Sequence, residues 1–150
     1  MELALSIAEQ GLDAGEVPVG AVLVRDTQVL ATAHNRTAMD NDPTAHAEII
    51  VLRDAASHRT RPRLDGTTLY VTIEPCTMCS GALLQARIHR LVFGAREPRT
   101  GAILSIADTL MNPANTHQIP VTEGILAVEA AELMQRFFVN KPWPRPYRGF

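Results

Sequence analysis

Two short fragments carry the residue types that metal-assisted hydrolysis needs: His46-Ala47-Glu48, and Pro75-Cys76-Thr77-Met78-Cys79. Cys76 and Cys79 are three apart, and residues so spaced are neighbours on a helix surface. Two thiolates there can grip one metal ion from one side. A helix N-terminus carries partial positive charge, which favours thiolate over thiol. One imidazole completes a three-ligand set, and neutral imidazole beside thiolates suits zinc. A structural zinc site wants four protein ligands, and the chain has only these two cysteines to offer. Three ligands with water in the fourth place is the catalytic pattern. The expected cofactor is therefore one Zn2+ per subunit, held by His46, Cys76 and Cys79.

Glu48 supplies the second half of the chemistry. Two residues beyond His46 it lies about 200° around an ideal helix, so mid-helix the pair cannot share a face. In a first turn, side chains lean back toward the N-terminus, and both can border a pocket off the helix end. Zinc lowers the pKa of a bound water from 15.7 to roughly 7. A carboxylate that takes that proton and delivers it to a leaving amine fits hydrolytic deamination. H-x-E followed by P-C-x-x-C is the pattern already known for zinc nucleobase deaminases, the bacterial tRNA adenosine deaminase among them. The chain matches it at every specified position.

The elements that must position these residues are legible from periodicity. Glu2 to Ala14 has helical spacing and stops at Gly15; Val17 to Val24 reads as a buried strand, paired through a turn with Val29 to His34. Asp40 to Pro43 marks a loop before a helix that begins near Thr44. Asp65-Gly66 turns into the strand Thr67–Ile73, Pro75 opens a helix over 76–88, and Arg90–Ala95 is a strand. A short helix is expected around Leu104–Leu110, a brief strand at Ile119–Val121, and a last helix from Thr122 and Glu123. Its face would carry Leu126, Ala130, Leu133 and Phe137. Three prolines in the last nine residues mark an extended tail at about 141–150. Strands alternating with helices predict a single three-layer α/β domain over 1–150 with some parallel pairing.

Composition excludes several classes. Fourteen basic against sixteen acidic residues give a net charge of -2, which is no polycation, and 46% hydrophobic residues argue against disorder. No apolar run approaches the roughly 20 residues of a membrane span, and the acidic MELALSIAEQ start is unlike a secretory leader. A cytoplasmic protein without a membrane is expected. Thioredoxin-like redox use of the cysteines leaves His46 and Glu48 without a role. His34, His58, His89 and His117 lie in no motif and read as surface or hydrogen-bonded side chains. Met78, Phe137 and Phe138 read as packing residues. Arg53, Arg59, Arg61 and Arg63 form one basic cluster and Arg136, Lys141, Arg145 and Arg148 another. A solvated face is the default reading of both.

The chain resembles the bacterial tRNA-specific adenosine deaminases of the cytidine deaminase-like superfamily. The resembling stretches are EVPVGAVLV, HNR, DPTAHAEI, TLYVTIEPCTMCSGALLQARIHRLVFGAR, TGA and TEGIL, from Glu16 to about Leu126. The resemblance implies a three-layer α/β/α fold with a mixed sheet of about five strands. It implies hydrolysis of adenosine to inosine at the wobble position of a tRNA anticodon, with zinc-bound hydroxide attacking C6 and Glu48 as proton shuttle. It further implies a homodimer that binds the anticodon stem-loop, with no DNA expected. Asn35 matches the family asparagine that hydrogen-bonds the target base; Val17, Pro18 and Ala47 match positions lining or flanking the pocket. Glu97 stands where the family usually has Asp next to the flipped nucleotide's sugar, and the tail after Phe138 lacks the usual basic run. A deaminase of a free base or nucleoside, of guanine or cytosine type, would use the same zinc site. A non-catalytic RNA-binding subunit would leave Glu48 without a purpose.

Overall fold

The computed structural model describes residues 1–140. The proline-rich tail, with Lys141, Arg145 and Arg148, lies outside the described residues. In chain order the elements are α1 (Glu2–Asp13), β1 (Gly20–Arg25), β2 (Gln28–His34), α2 (Ala47–Ser57), β3 (Thr68–Ile73), α3 (Thr77–Ala86), β4 (Arg90–Ala95), β5 (Val121–Thr122) and α4 (Ala127–Asn140). The five strands form one sheet in the order β2-β1-β3-β4-β5. β1 is antiparallel to both β2 and β3, while β3, β4 and β5 run parallel. This is the mixed five-stranded sheet expected.

Helices α1 and α4 pack against one face, and α2 with α3 covers the other. The continuous apolar run Leu91–Ala95 suits a strand buried on both faces. Leu23, Leu69, Val71, Leu91 and Phe93 are fully buried, together with Val51 of α2, Leu83 of α3 and Ala130 of α4. Gly20 lets α1 lie directly on β1. A Cβ there would sit 2.0 Å from the Ala4 carbonyl oxygen and 2.6 Å from the Ala8 nitrogen.

Four boundaries differ from the sequence expectation. Val17–Val19 does not join β1; a tight Val19 N–H to Val17 carbonyl bond of 2.8 Å turns the chain there. Helix α2 starts at Ala47 rather than Thr44, because Asp42 Oδ1 accepts from both the Thr44 N–H and hydroxyl at 2.7 Å. No helix forms over 104–110: the Leu104 and Ser105 N–H groups are taken by Glu74, and those of Ile106 and Thr109 turn back to the Gly101 and Ala102 carbonyls. The last helix begins at Ala127, since Gly124 (φ +84°) and Leu126 (φ +55°) are left-handed and the Gly124 N–H is tied to the Gly94 carbonyl. The brief strand is two residues, Val121–Thr122.

Candidate active site

The N-termini of α2 and α3 converge at one end of the sheet. His46 is the N-cap of α2 and Cys76 the N-cap of α3, both with extended backbone, so their side chains stand off the helix ends. Glu48 and Cys79 are the second and third residues of those helices. His46 Nδ1 lies 3.8 Å from Cys76 Sγ and 3.5 Å from Cys79 Sγ. Metal–sulfur and metal–nitrogen bonds of about 2.3 and 2.05 Å at tetrahedral angles place N and S about 3.6 Å apart, so this donor set fits a zinc-sized ion. All three ligating atoms lie within 4.8 Å of one another, and no other such group occurs among the described residues.

Electrostatics at the three candidate donors follow from their crowding. Hydrogen bonds from Cys79 and His46 hold the Cys76 thiol down at about 4 against the opposing effect of burial. Cys79 is pushed up by its bond to Cys76, by burial and by the nearby Glu48 charge. The contact between the two sulfurs thus favours the thiolate at Cys76 and the thiol at Cys79. His46 is raised, chiefly by its contact with Cys76.

Glu48 is 3% exposed, and its Oε2 has no hydrogen-bond partner among the described residues. Burial pushes its carboxyl up from the ordinary range. An unpartnered buried carboxylate oxygen costs about 1–3 kcal/mol, so its presence here calls for a functional partner. Polarity at the first turn of α2 is otherwise satisfied: the Ala47 N–H donates to Asn35 Oδ1 at 2.8 Å. Asn35 is itself 6% exposed and is fixed by its N–H bond to the Val19 carbonyl.

A cavity of about 390 Å3 opens over these groups, within the roughly 300–1,000 Å3 typical of small-molecule sites. Its floor is His46, Glu48 and Cys76, and one wall is Val17, Val19, Asn35 and Thr37. Another wall is Glu97, Arg99 and Thr100, with Met134 and Phe138 of α4 beside them. Of the residues expected at the substrate, Asn35, Val17 and Glu97 therefore border the cavity. Pro18 is buried next to Val17 and Ala47 lies behind Asn35, neither on the cavity surface. Phe138 departs from the packing reading: it is half-buried, edge-on to Phe137 at 5.1 Å, with the Arg99 guanidinium 5.7 Å from its ring centre. Met78 is also more exposed than a packing residue, at 37%.

The other histidines sit elsewhere. His34 Nδ1 is 2.6 Å from the Asn35 carbonyl, His117 Nε2 is 2.6 Å from the Ile88 carbonyl, His58 faces Asp54, and His89 is exposed. Arg59, Arg61 and Arg63 gather at the start of β3, whereas the site lies beyond its end, about 20 Å away at 3.3 Å per residue. The sequence reading missed two buried carboxylates. Glu16 accepts from Thr37 Oγ1 (3.1 Å) and the Met39 N–H (2.7 Å), and Glu74 accepts from five donors. The available signal was a lone acid abutting apolar residues, in EVPVGA and TLYVTIEPC.

Residues 1–141 match the family model of MafB19-like deaminases. The fold and the site thus define a deaminase. A tRNA-specific adenosine deaminase of Haemophilus influenzae is 47% identical over 142 residues, covering 94% of this chain and 82% of the relative. A structure from a study of A-to-I editing by tRNA:A34 deaminases superposes with a TM-score of 0.85 at 47% identity, covering 89% of this chain and 96% of the other. A guanine deaminase from Nitrosomonas europaea superposes with a TM-score of 0.73 at 25% identity, over 92% and 82% of the two chains. The chain belongs to the tRNA-specific adenosine deaminase family. Among the described residues, no helix is long and apolar enough to cross a membrane.

Proposed function

We propose that this chain, as one domain over 1–150, hydrolyses adenosine to inosine at the wobble position of a tRNA anticodon. The observation that carries the reading is the orphaned, buried Glu48 carboxylate beside the His46/Cys76/Cys79 donor set at the floor of a base-sized cavity. His46, Cys76 and Cys79 would hold zinc, which when bound supplies Lewis acidity and brings the pKa of a coordinated water to roughly 7. Glu48 Oε2 takes a proton from the attacking water and returns it to N1 of the ring as oxygen bonds to C6. A second transfer through the same carboxylate carries the proton of the new C6 hydroxyl to N6, the C6–N6 bond breaks as the C6 carbonyl forms, and ammonia leaves. Burial favours the protonated carboxyl, which suits the delivering half of that cycle.

Asn35 is held by Ala47 and Val19, so its amide is presented to the base edge in one orientation. An amide that both donates and accepts complements the ring edge of adenine. Glu97 stands at the cavity wall to meet the nucleotide's sugar. Single-stranded anticodon loops present splayed bases, so the unstacking cost is already partly met. The greater identity to adenosine than to guanine deaminases favours the RNA substrate over a free base.

A cytoplasmic homodimer completes the proposal. Leu104, Ile106 and Met111 are exposed at 41–56%, and a Cβ on Gly81 of α3 would meet nothing within 4 Å. Those surfaces suit a second copy of the chain; light scattering that returns a monomer at micromolar concentration would refute that part. Inosine in a wobble-adenosine stem-loop, with guanine, cytosine and adenosine as parallel free substrates, tests the activity. Ammonia from a free base and none from the RNA would overturn the substrate assignment.

A further inference from the structure

The cavity wall formed by residues 97–100 belongs to a segment with no regular secondary structure, yet a buried carboxylate gathers both of its ends. Glu74 lies between the end of β3 and the Pro75-Cys76 turn, and it is 3% exposed. Its Oε1 accepts three successive backbone N–H groups, from Ile103 (3.0 Å), Leu104 (2.7 Å) and Ser105 (2.9 Å). Its Oε2 accepts the Glu97 N–H at 3.1 Å and the Ser105 hydroxyl. One carboxylate thus spans both ends of the segment that carries Glu97, Arg99 and Thr100 into the cavity.

The surroundings are shaped for that approach. Gly101 passes so close that a Cβ on it would stand 2.5 Å from Glu74 Cδ and Oε2. Gly101 also pairs with Cys76 in an isolated bridge, and the Ala102 N–H donates to the Pro75 carbonyl at 2.8 Å. The Glu74 N–H is in turn held by the Ala95 carbonyl at the end of β4. The wall is therefore referenced to the same turn that presents Cys76. Successive N–H groups converging on one anion make a rigid cradle, and charge-assisted bonds are the stronger kind.

We propose that Glu74 is a positioning residue for the nucleic-acid substrate: it fixes segment 97–105 as a preformed wall, in register with the Cys76 turn, so that Glu97 and Arg99 meet the nucleotide without reordering. The inference rests on the deamination reading above, and its physical ground is that a preorganised wall removes an ordering cost from binding.

Glu74→Gln tests it, because the amide keeps the volume but turns an NH2 toward groups that are themselves donors. The expected result is a KM for the wobble-adenosine stem-loop raised about ten-fold or more, with kcat changed much less. Zinc per chain stays at the wild-type value, and hydrogen-exchange protection is lost at the amides of 103–105 while the β3 and β4 amides remain slow. Gly101→Ala, which pushes the same contact apart from the other side, gives the same split, and the double variant is no worse than either single one. Should Glu74→Gln fail to fold, Ser105→Ala removes one donor only, and a KM rise of about three-fold carries the test. Faster exchange at 103–105 with KM unchanged would overturn the proposal, as would a fall in kcat at constant KM. Wild-type protein that makes no inosine would refute the deamination reading instead, and exchange at 103–105 in Glu74→Gln would still decide whether the carboxylate holds the wall.

Discussion

Replacing Glu48 by Gln sets catalysis against stability, and the structure fixes the direction of both. The substitution keeps the side-chain volume in a position 3% exposed, so no cavity opens in the core. It replaces a carboxyl whose ionisation burial opposes with an amide that does not ionise. Because the folded-state pKa of Glu48 is raised, its contribution to stability is fully present below the unfolded value of 4.5 and is lost as pH rises through the folded value. In metal-free protein the stability of Glu48→Gln relative to wild type should therefore climb as pH rises above the unfolded value of 4.5. Between the unfolded and folded values each pH unit is worth about 1.4 kcal/mol, and in a chain of this size each kcal/mol moves Tm by about 2–4 °C. Thermal melts of chelator-treated protein should thus show the variant gaining on wild type by about 3–5 °C per pH unit in that range. The zinc-loaded variant should lose about 10²–10⁴-fold in kcat for inosine formation, the usual worth of a general acid–base group. A gap that does not widen as pH rises would refute the burial argument. Turnover within a few-fold of wild type would refute the shuttle.

Further outcomes follow from the same geometry. Cys79→Ala should purify with little zinc while wild type carries one per chain by elemental analysis, and in wild type zinc binding should weaken as pH falls, because the Cys79 thiol and a protonated His46 must each give up a proton to bind. Gly20→Ala drives a Cβ into the backbone of α1 at 2.0 Å, so urea unfolding should show a loss of about 3 kcal/mol or more, the upper range for overpacking. At Glu74 burial pushes the carboxyl up, but the hydrogen bonds from Ser105, Leu104 and Glu97 outweigh it and hold the group below its usual value. That stabilisation is present above the unfolded value of 4.5 and is lost as pH falls through the folded value. Wild type should therefore lose more Tm than Glu74→Gln in this acid range, and parallel pH–Tm curves would contradict it.

Much of this protein is local information. The four chemical groups are named by their types and spacing alone, because a metal imposes ligand chemistry that few other arrangements share. Strands β3 and β4 and the β1–β2 hairpin follow from apolar runs bounded by turn residues, since burial on both faces leaves a pattern readable over a few positions. Tertiary structure decided where helices begin and what the cavity walls are made of. Asp42 diverts Thr44 from α2, and left-handed Gly124 and Leu126 delay α4, although propensity alone extends both helices further. Residues 104–110 read as a short helix, yet the Leu104 and Ser105 N–H groups go to Glu74, about 30 positions earlier in the chain. Glu16 likewise holds Thr37 and Met39, and Asn35 caps α2 at Ala47. Such bonds join residues 12 to 31 apart, and they win because a buried carboxylate or amide must be satisfied wherever the fold brings donors to it. No local window contains that requirement, so the ligands of the site are written in the sequence, while the walls that shape it exist only once the sheet has brought its ends together.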